Sequence, residues 1–90
     1  MNDEQSGEQL SPVQKMFGDF APKLVQATDE VLFADIWERE ELGARDRSLI
    51  TITTLVAGGH VEQLPHHLQR GRDNGLTQTE VVETITHLAF

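Results

Sequence analysis

The sequence predicts an all-α fold, and three observations predict it. Thr77-Gln78-Thr79-Glu80 is a capping box, and Val81, Val82, Ile85, Leu88 and Ala89 follow it on one helix face. Asn74-Gly75 is a left-handed helix stop. The one run rich in β-branched residues, LITITTLV at 49–56, finds no second segment that reads as a strand to pair with it.

Taken in order, residues 1–10 (MNDEQSGEQL) hold almost no apolar side chain and read as a disordered lead-in to a single domain over 11–90. Ser11 is a natural N-cap with Pro12 at the first helical position, which predicts a short helix to about Phe17. Gly18 interrupts it and Pro22 starts a second segment. Thr28 reads as the next N-cap, with Asp29 and Glu30 suited to the positive end of the helix dipole. Val31, Leu32, Ala34, Ile36 and Trp37 then form the apolar surface of a helix of about ten residues.

The charged run WEREELGARDR is a connection, with Gly43 or Ala44 near the next helix start. For residues 49–56 the two readings are balanced. β-Branching and partial alternation favour a strand, whereas Leu49, Ile52 and Val56 at i, i+3 and i+7 favour a helix. The missing strand partner tips the run toward a buried helix. Gly58-Gly59 breaks it. Proline is tolerated only in a first turn, so Pro65 makes the following helix begin near Gln63 or Leu64.

Ninety residues without cysteine allow one small core and no disulfide. Thiol redox chemistry, cysteine zinc sites and a cysteine nucleophile are excluded for this chain. Fifteen acids against seven Lys and Arg give a net charge of −8, which argues against nucleic acid or an anionic membrane as partner. No run approaches the length of a membrane span, and the polar, acidic N-terminus has no signal-peptide pattern. A cytoplasmic protein is the expectation.

The chemistry-bearing residues concentrate in residues 45–75. Arg45 and Arg47 open the apolar run, and His60, His66 and His67, three of the four histidines, fall within eight residues. Cations, imidazoles and an apolar wall suit a small anionic organic molecule. A metal site of His60, Glu62, His66 and His67 is disfavoured, because no two histidines stand at i, i+3 or i+4. His67 is the candidate acid–base group, against a plain surface or packed histidine. Arg45 and Arg47 are candidate carboxylate clamps, against surface salt bridges to Glu40, Glu41 or Asp46. Trp37, the only tryptophan, is first a core residue and second a wall for a ligand.

From about Phe20 to Phe90 the chain resembles the carboxymuconolactone decarboxylase family. The matching pieces are Trp37-Glu38-Arg39, ELGARDRSLITI, Ala57-Gly58-Gly59 and HHLQRGRDNGLTQTEVVETITHLAF. The eight-residue step from His67 to Gly75, followed by Leu-Thr and an acidic helix start, is the most specific part. The resemblance implies an antiparallel helical bundle similar to alkylhydroperoxidase D, assembled as a homo-oligomer, usually a trimer or hexamer, with sites near subunit contacts. It also implies a helix over 49–56.

The family's peroxidase-like branch carries a Cys-x-x-Cys pair, a later histidine and an earlier glutamate. In this chain the cysteine positions match His60 and Gln63, the glutamate matches Ser48, and only the histidine is kept, as His67. The decarboxylase branch lacks those cysteines, and its reaction needs no cofactor. That resemblance implies His67 as proton donor or dienolate stabiliser, His60 as an auxiliary, and Arg47 with Arg45 second as carboxylate holders. Relatives continue beyond the position of Phe90, so part of the expected pocket wall and subunit contact is expected to be missing here. The alternative is a non-catalytic helical oligomer that binds a small molecule or a partner protein.

Overall fold

A computed structural model of the chain describes residues 10–90, so the lead-in expected over 1–10 falls, up to residue 9, outside the described residues. Among the described residues every regular element is helical. The chain packs as two compact units, one running to Arg39 and the other from Glu40 to Phe90.

In the first unit, α1 (Pro12–Phe17) begins as expected at Ser11. The Ser11 hydroxyl accepts the Gln14 N–H at 3.2 Å, and Gln14 Oε1 accepts the Ser11 N–H at 3.0 Å. The same hydroxyl donates to Asp29 Oδ2 at 3.0 Å. Helix α2 (Pro22–Gln26) starts on its proline and runs on as a π-helical stretch, Ala27–Phe33, where the Ala34 N–H reaches the Asp29 carbonyl at 3.1 Å.

Thr28 is therefore not an N-cap. The turn before it is already helical, and its hydroxyl donates back to the Leu24 carbonyl at 2.8 Å. The expected ten-residue helix also stops short. It breaks after Phe33, and Ile36–Glu38 forms a separate 3₁₀ turn. Trp37 lies there, half-buried, with its ring centroid 5.8 Å from that of Phe33.

In the second unit, α3 (Ala44–Gly58) absorbs the β-rich run as helix. The hydroxyls of Thr51, Thr53 and Thr54 donate to the carbonyls four residues back, at 2.8, 2.7 and 2.9 Å. Each threonine thus satisfies its polar group within the helix. Ser48, Ile52 and Leu55 fall on one stripe and are buried. The helix ends on Gly59, whose φ of +74° only glycine adopts cheaply. There the His60 N–H reaches the Leu55 carbonyl at 2.9 Å and the Gly59 N–H reaches that of Val56 at 3.2 Å, a Schellman stop.

Helix α4 (Leu64–Asp73) carries Pro65 in its first turn, as expected. It closes with a second Schellman pair, Leu76 N–H to Gly71 O at 2.9 Å and Gly75 N–H to Arg72 O at 3.1 Å. Helix α5 (Gln78–Leu88) starts from the capping box of Thr77 and Glu80. It contains no buried residue. Val82 and Ile85 are 54% and 45% exposed, so its apolar face is not core within this chain.

Helix α4 doubles back along α3 because Gly71 lets the two backbones approach. A Cβ on Gly71 would stand 3.0 Å from both Ile52 Cδ1 and Leu76 Cδ1, and 3.6 Å from Ser48 Cβ. Ile52 is fully buried against this point and Leu76 is 5% exposed. The crossing is pinned by Asn74 Nδ2, which donates to the buried Ser48 Oγ at 2.9 Å. Replacing Gly71 by Val drives carbon into the Ile52 and Leu76 methyls, and should lower unfolding free energy by about 2 kcal/mol. Urea denaturation followed by circular dichroism tests this, and an unchanged midpoint would show that the crossing tolerates a side chain.

Candidate functional site

His67 lies on the face of α4 that also carries Leu64, Leu68 and Gly71, four positions spaced as one helical stripe. It is half-buried, and its Nδ1 atom is fully covered, as is Nε of Arg70 one turn on. His66 stands beside it with the two rings nearly perpendicular, centroids 5.0 Å apart. Burial holds the His67 imidazole below its ordinary pKa, and the neighbouring His66 and Arg70 push it further the same way. His66 is lowered by burial first and by Arg70 second. The cluster therefore presents neutral imidazoles near pH 7, able to accept a proton or to donate an N–H hydrogen bond.

Arg45 occupies the first turn of α3. Its Nη1 donates to Asp46 Oδ1 at 2.8 Å and its Nη2 to Glu80 Oε2 on α5. The Glu80 carboxylate divides its two oxygens, since Oε1 accepts the Thr77 N–H at 2.9 Å. That backbone hydrogen bond and then the Arg45 contact lower the Glu80 pKa, while the Glu80 hydrogen bond raises that of Arg45. Arg47 Nε donates to the Leu42 carbonyl at 3.0 Å, which orients the guanidinium plane.

His60 follows the left-handed Gly59, and its exposed ring folds over Gly58, where an added Cβ would come within 2.8 Å of His60 Cδ2. It stands at the opposite end of α3 from Arg45 and Arg47, about 20 Å away along the axis. One small ligand on a single chain does not touch both ends. Trp37 belongs to the first unit, against Phe33. Among the described residues no three His, Asp or Glu side chains are grouped to hold a metal.

Two contacts here were not foreseen from the sequence. Glu80 carried a capping signal, but its pairing with Arg45 spans 35 residues. Ser48 and Asn74 meet across 26 residues. Local spacing is silent about both. The salt bridge from Arg45 to Asp46, the alternative reading of that residue, is present, with Glu80 as a second partner.

An open groove of about 440 Å³ lies between α3 and α5, lined by Arg45, Leu49 and Thr53 on one side and by Glu80, Glu83, Thr84, His87 and Leu88 on the other. His67 does not line it.

Comparison with known proteins places this architecture. Residues 22–90 match the Carboxymuconolactone decarboxylase family. A 4-carboxymuconolactone decarboxylase of Acinetobacter baylyi (strain ATCC 33305 / BD413 / ADP1) is 32% identical over 72 residues, covering 80% of this chain and 54% of that protein. The chain thus spans about half the length of this curated relative. The family match runs over the whole of α2 to α5 and includes Arg45, Arg47, His60, His67 and Glu80. The chain belongs to the carboxymuconolactone decarboxylase family.

Proposed function

We propose that the chain is a subunit of a cofactor-free carboxy-lyase acting on 4-carboxymuconolactone or a related small carboxylated lactone. The observation that carries this reading is the chemistry of α4. In a chain with no thiol, a half-buried imidazole, His67, is held in its neutral form beside the α3 crossing. The likeness to the Acinetobacter baylyi enzyme supports the reaction class.

The reaction breaks the bond between ring carbon and carboxylate, releasing CO2. The electron pair passes through the conjugated double bond into the lactone carbonyl, giving a dienolate. A proton delivered to carbon then yields the enol-lactone. The protein has to hold the carboxylate, stabilise the dienolate oxygen and handle that proton. His67 is the proton donor or the dienolate stabiliser: its neutral N–H hydrogen-bonds the developing oxyanion, and to protonate carbon it first takes up a proton from solvent and then passes it on as imidazolium. Arg47, oriented by Leu42, holds a carboxylate. Arg45, whose Nη atoms donate to Glu80 and Asp46, is the second carboxylate holder. His60 and Trp37 are auxiliary positions, and an assembly could bring His60 to a site that one chain cannot build.

The proposed assembly is a homo-oligomer of antiparallel helical bundles, with a trimer or hexamer expected. Its support is the apolar face of α5 and the small core: the buried apolar side chains among the described residues are Val25, Ile52, Leu55 and Leu76. A second reading, a non-catalytic binding oligomer, is supported by the absence of the thiol relay, with His60 and Gln63 at the cysteine positions.

Replacing His67 by Ala should lower kcat by about 10²–10⁴-fold, followed as loss of the lactone's ultraviolet absorbance. Unchanged turnover would remove His67 from the mechanism. Substituting Ile85 by Glu should reduce the mass seen by light scattering, and a wild-type chain that stays monomeric at high concentration would refute the assembly. Acid should destabilise the fold through the histidine pair. Folded His66 and His67 bind protons less readily than in the unfolded chain, so the unfolded state takes up more protons as pH falls below the ordinary value of 6.5. Their contribution is complete above that value and is lost on acidification. The urea midpoint should fall between about pH 7.5 and pH 5.5 in the wild type, and fall less in a His66→Asn, His67→Asn double variant. Equal slopes in both proteins would contradict it.

A further inference from the structure

We propose that the groove between α3 and α5 is a binding site for a small organic monocarboxylate with an apolar body, with Arg45 as its anchor and Glu80 as a built-in competitor for that anchor. It shares Arg45 with the decarboxylase reading but goes beyond it, because it needs no turnover and does not involve His67.

Three observations carry it. First, a carboxylate oxygen already sits on the guanidinium at the groove's edge: Oε2 of Glu80 accepts from Arg45 Nη2. That contact is monodentate, as is the contact from Asp46 to Nη1, whereas a guanidinium matches a carboxylate best through two parallel hydrogen bonds. The side chains of Arg45 and Glu80 are 41% and 40% exposed, so the pair is open to exchange with an incoming anion.

Second, Glu80 is tethered independently of Arg45. Its Oε1 caps α5 on the Thr77 N–H, so it can yield Arg45 and keep its place in the capping box. Third, the two threonine hydroxyls of the groove already have partners. The Thr53 hydroxyl donates to the Leu49 carbonyl at 2.7 Å and the Thr84 hydroxyl to the Glu80 carbonyl at 2.8 Å. Leu49 and Leu88 supply the apolar wall. From Arg45 to Thr53 the groove follows two turns of α3, about 12 Å, room for a ring or a short chain beyond the carboxylate. One turn beyond Glu80, Glu83 lines the same groove and repels a second carboxylate, which selects a monoacid held by its acidic end at Arg45.

The test is a methyl-detected NMR titration of the full chain with benzoate, benzyl alcohol and benzylamine. Benzoate should shift the methyls of Leu49, Thr53 and Leu88, and should bind more tightly than the neutral or cationic analogue. Glu80→Gln keeps the capping box, in which glutamine also serves, but removes the competing charge. It should tighten benzoate about two- to fivefold, the worth of an exposed ion pair. Arg45→Gln should weaken benzoate about tenfold. Far-UV circular dichroism checks that both variants keep α5 helical. Unchanged or weaker benzoate binding in Glu80→Gln shows a latch between helices rather than a ligand gate and overturns the proposal. So does tighter binding of benzylamine than of benzoate, or shifts that avoid the groove methyls. None of these readings depends on decarboxylation, so the two proposals fail separately.

Discussion

The close approach of α3 and α4 at Gly71 is the constraint on which the second unit depends. A helix pair separated by two ordinary side chains could slide or rotate. Here the missing side chain lets Ile52 and Leu76 fill the crossing, and the buried Ser48 hydroxyl meets the Asn74 amide there. A buried hydroxyl costs free energy unless it is paired, so this one contact penalises other registers of α4 on α3. The register in turn decides that His67 lies on the packed stripe of α4 and is half-desolvated. Its lowered pKa is thus a consequence of backbone packing four residues away.

Helix α5 is attached by different means. It has no buried residue, and its start is organised by Glu80, which serves the Thr77 cap and Arg45 at once. Local helix formation and attachment to α3 therefore share one carboxylate. Exposed ion pairs contribute little, so α5 has a weaker hold than the α3–α4 pair, and its outward apolar residues offer the surface on which the proposed assembly rests.

Much of the helical punctuation was legible in the sequence because it is local chemistry. The Ser11 and Thr77 caps, the Gly59 and Gly75 stops and the place of Pro65 each rest on a side chain within a few residues of the backbone group it serves. The Thr28 expectation failed for a reason of the same scale. A threonine looks alike as a cap or as a back-bonded residue, and the choice depends on whether the preceding turn is already helical.

The sequence by itself determined the family, the absence of thiol chemistry in this chain, the acidic charge, and the helix starts and stops that rest on the Ser11 and Thr77 caps, Gly59, Gly75 and Pro65, all properties of residue identity and near-neighbour spacing. It did not choose between strand and helix for residues 49–56 on propensity alone, because β-branched residues satisfy either pattern. The tertiary structure decided which charges meet and which imidazoles are desolvated. Arg45 pairs with Glu80 across 35 residues and Ser48 with Asn74 across 26, distances over which no helical or strand period carries information. The physical reason is that electrostatics and burial depend on separation in space, which the chain sets only when α4 folds back at Gly71.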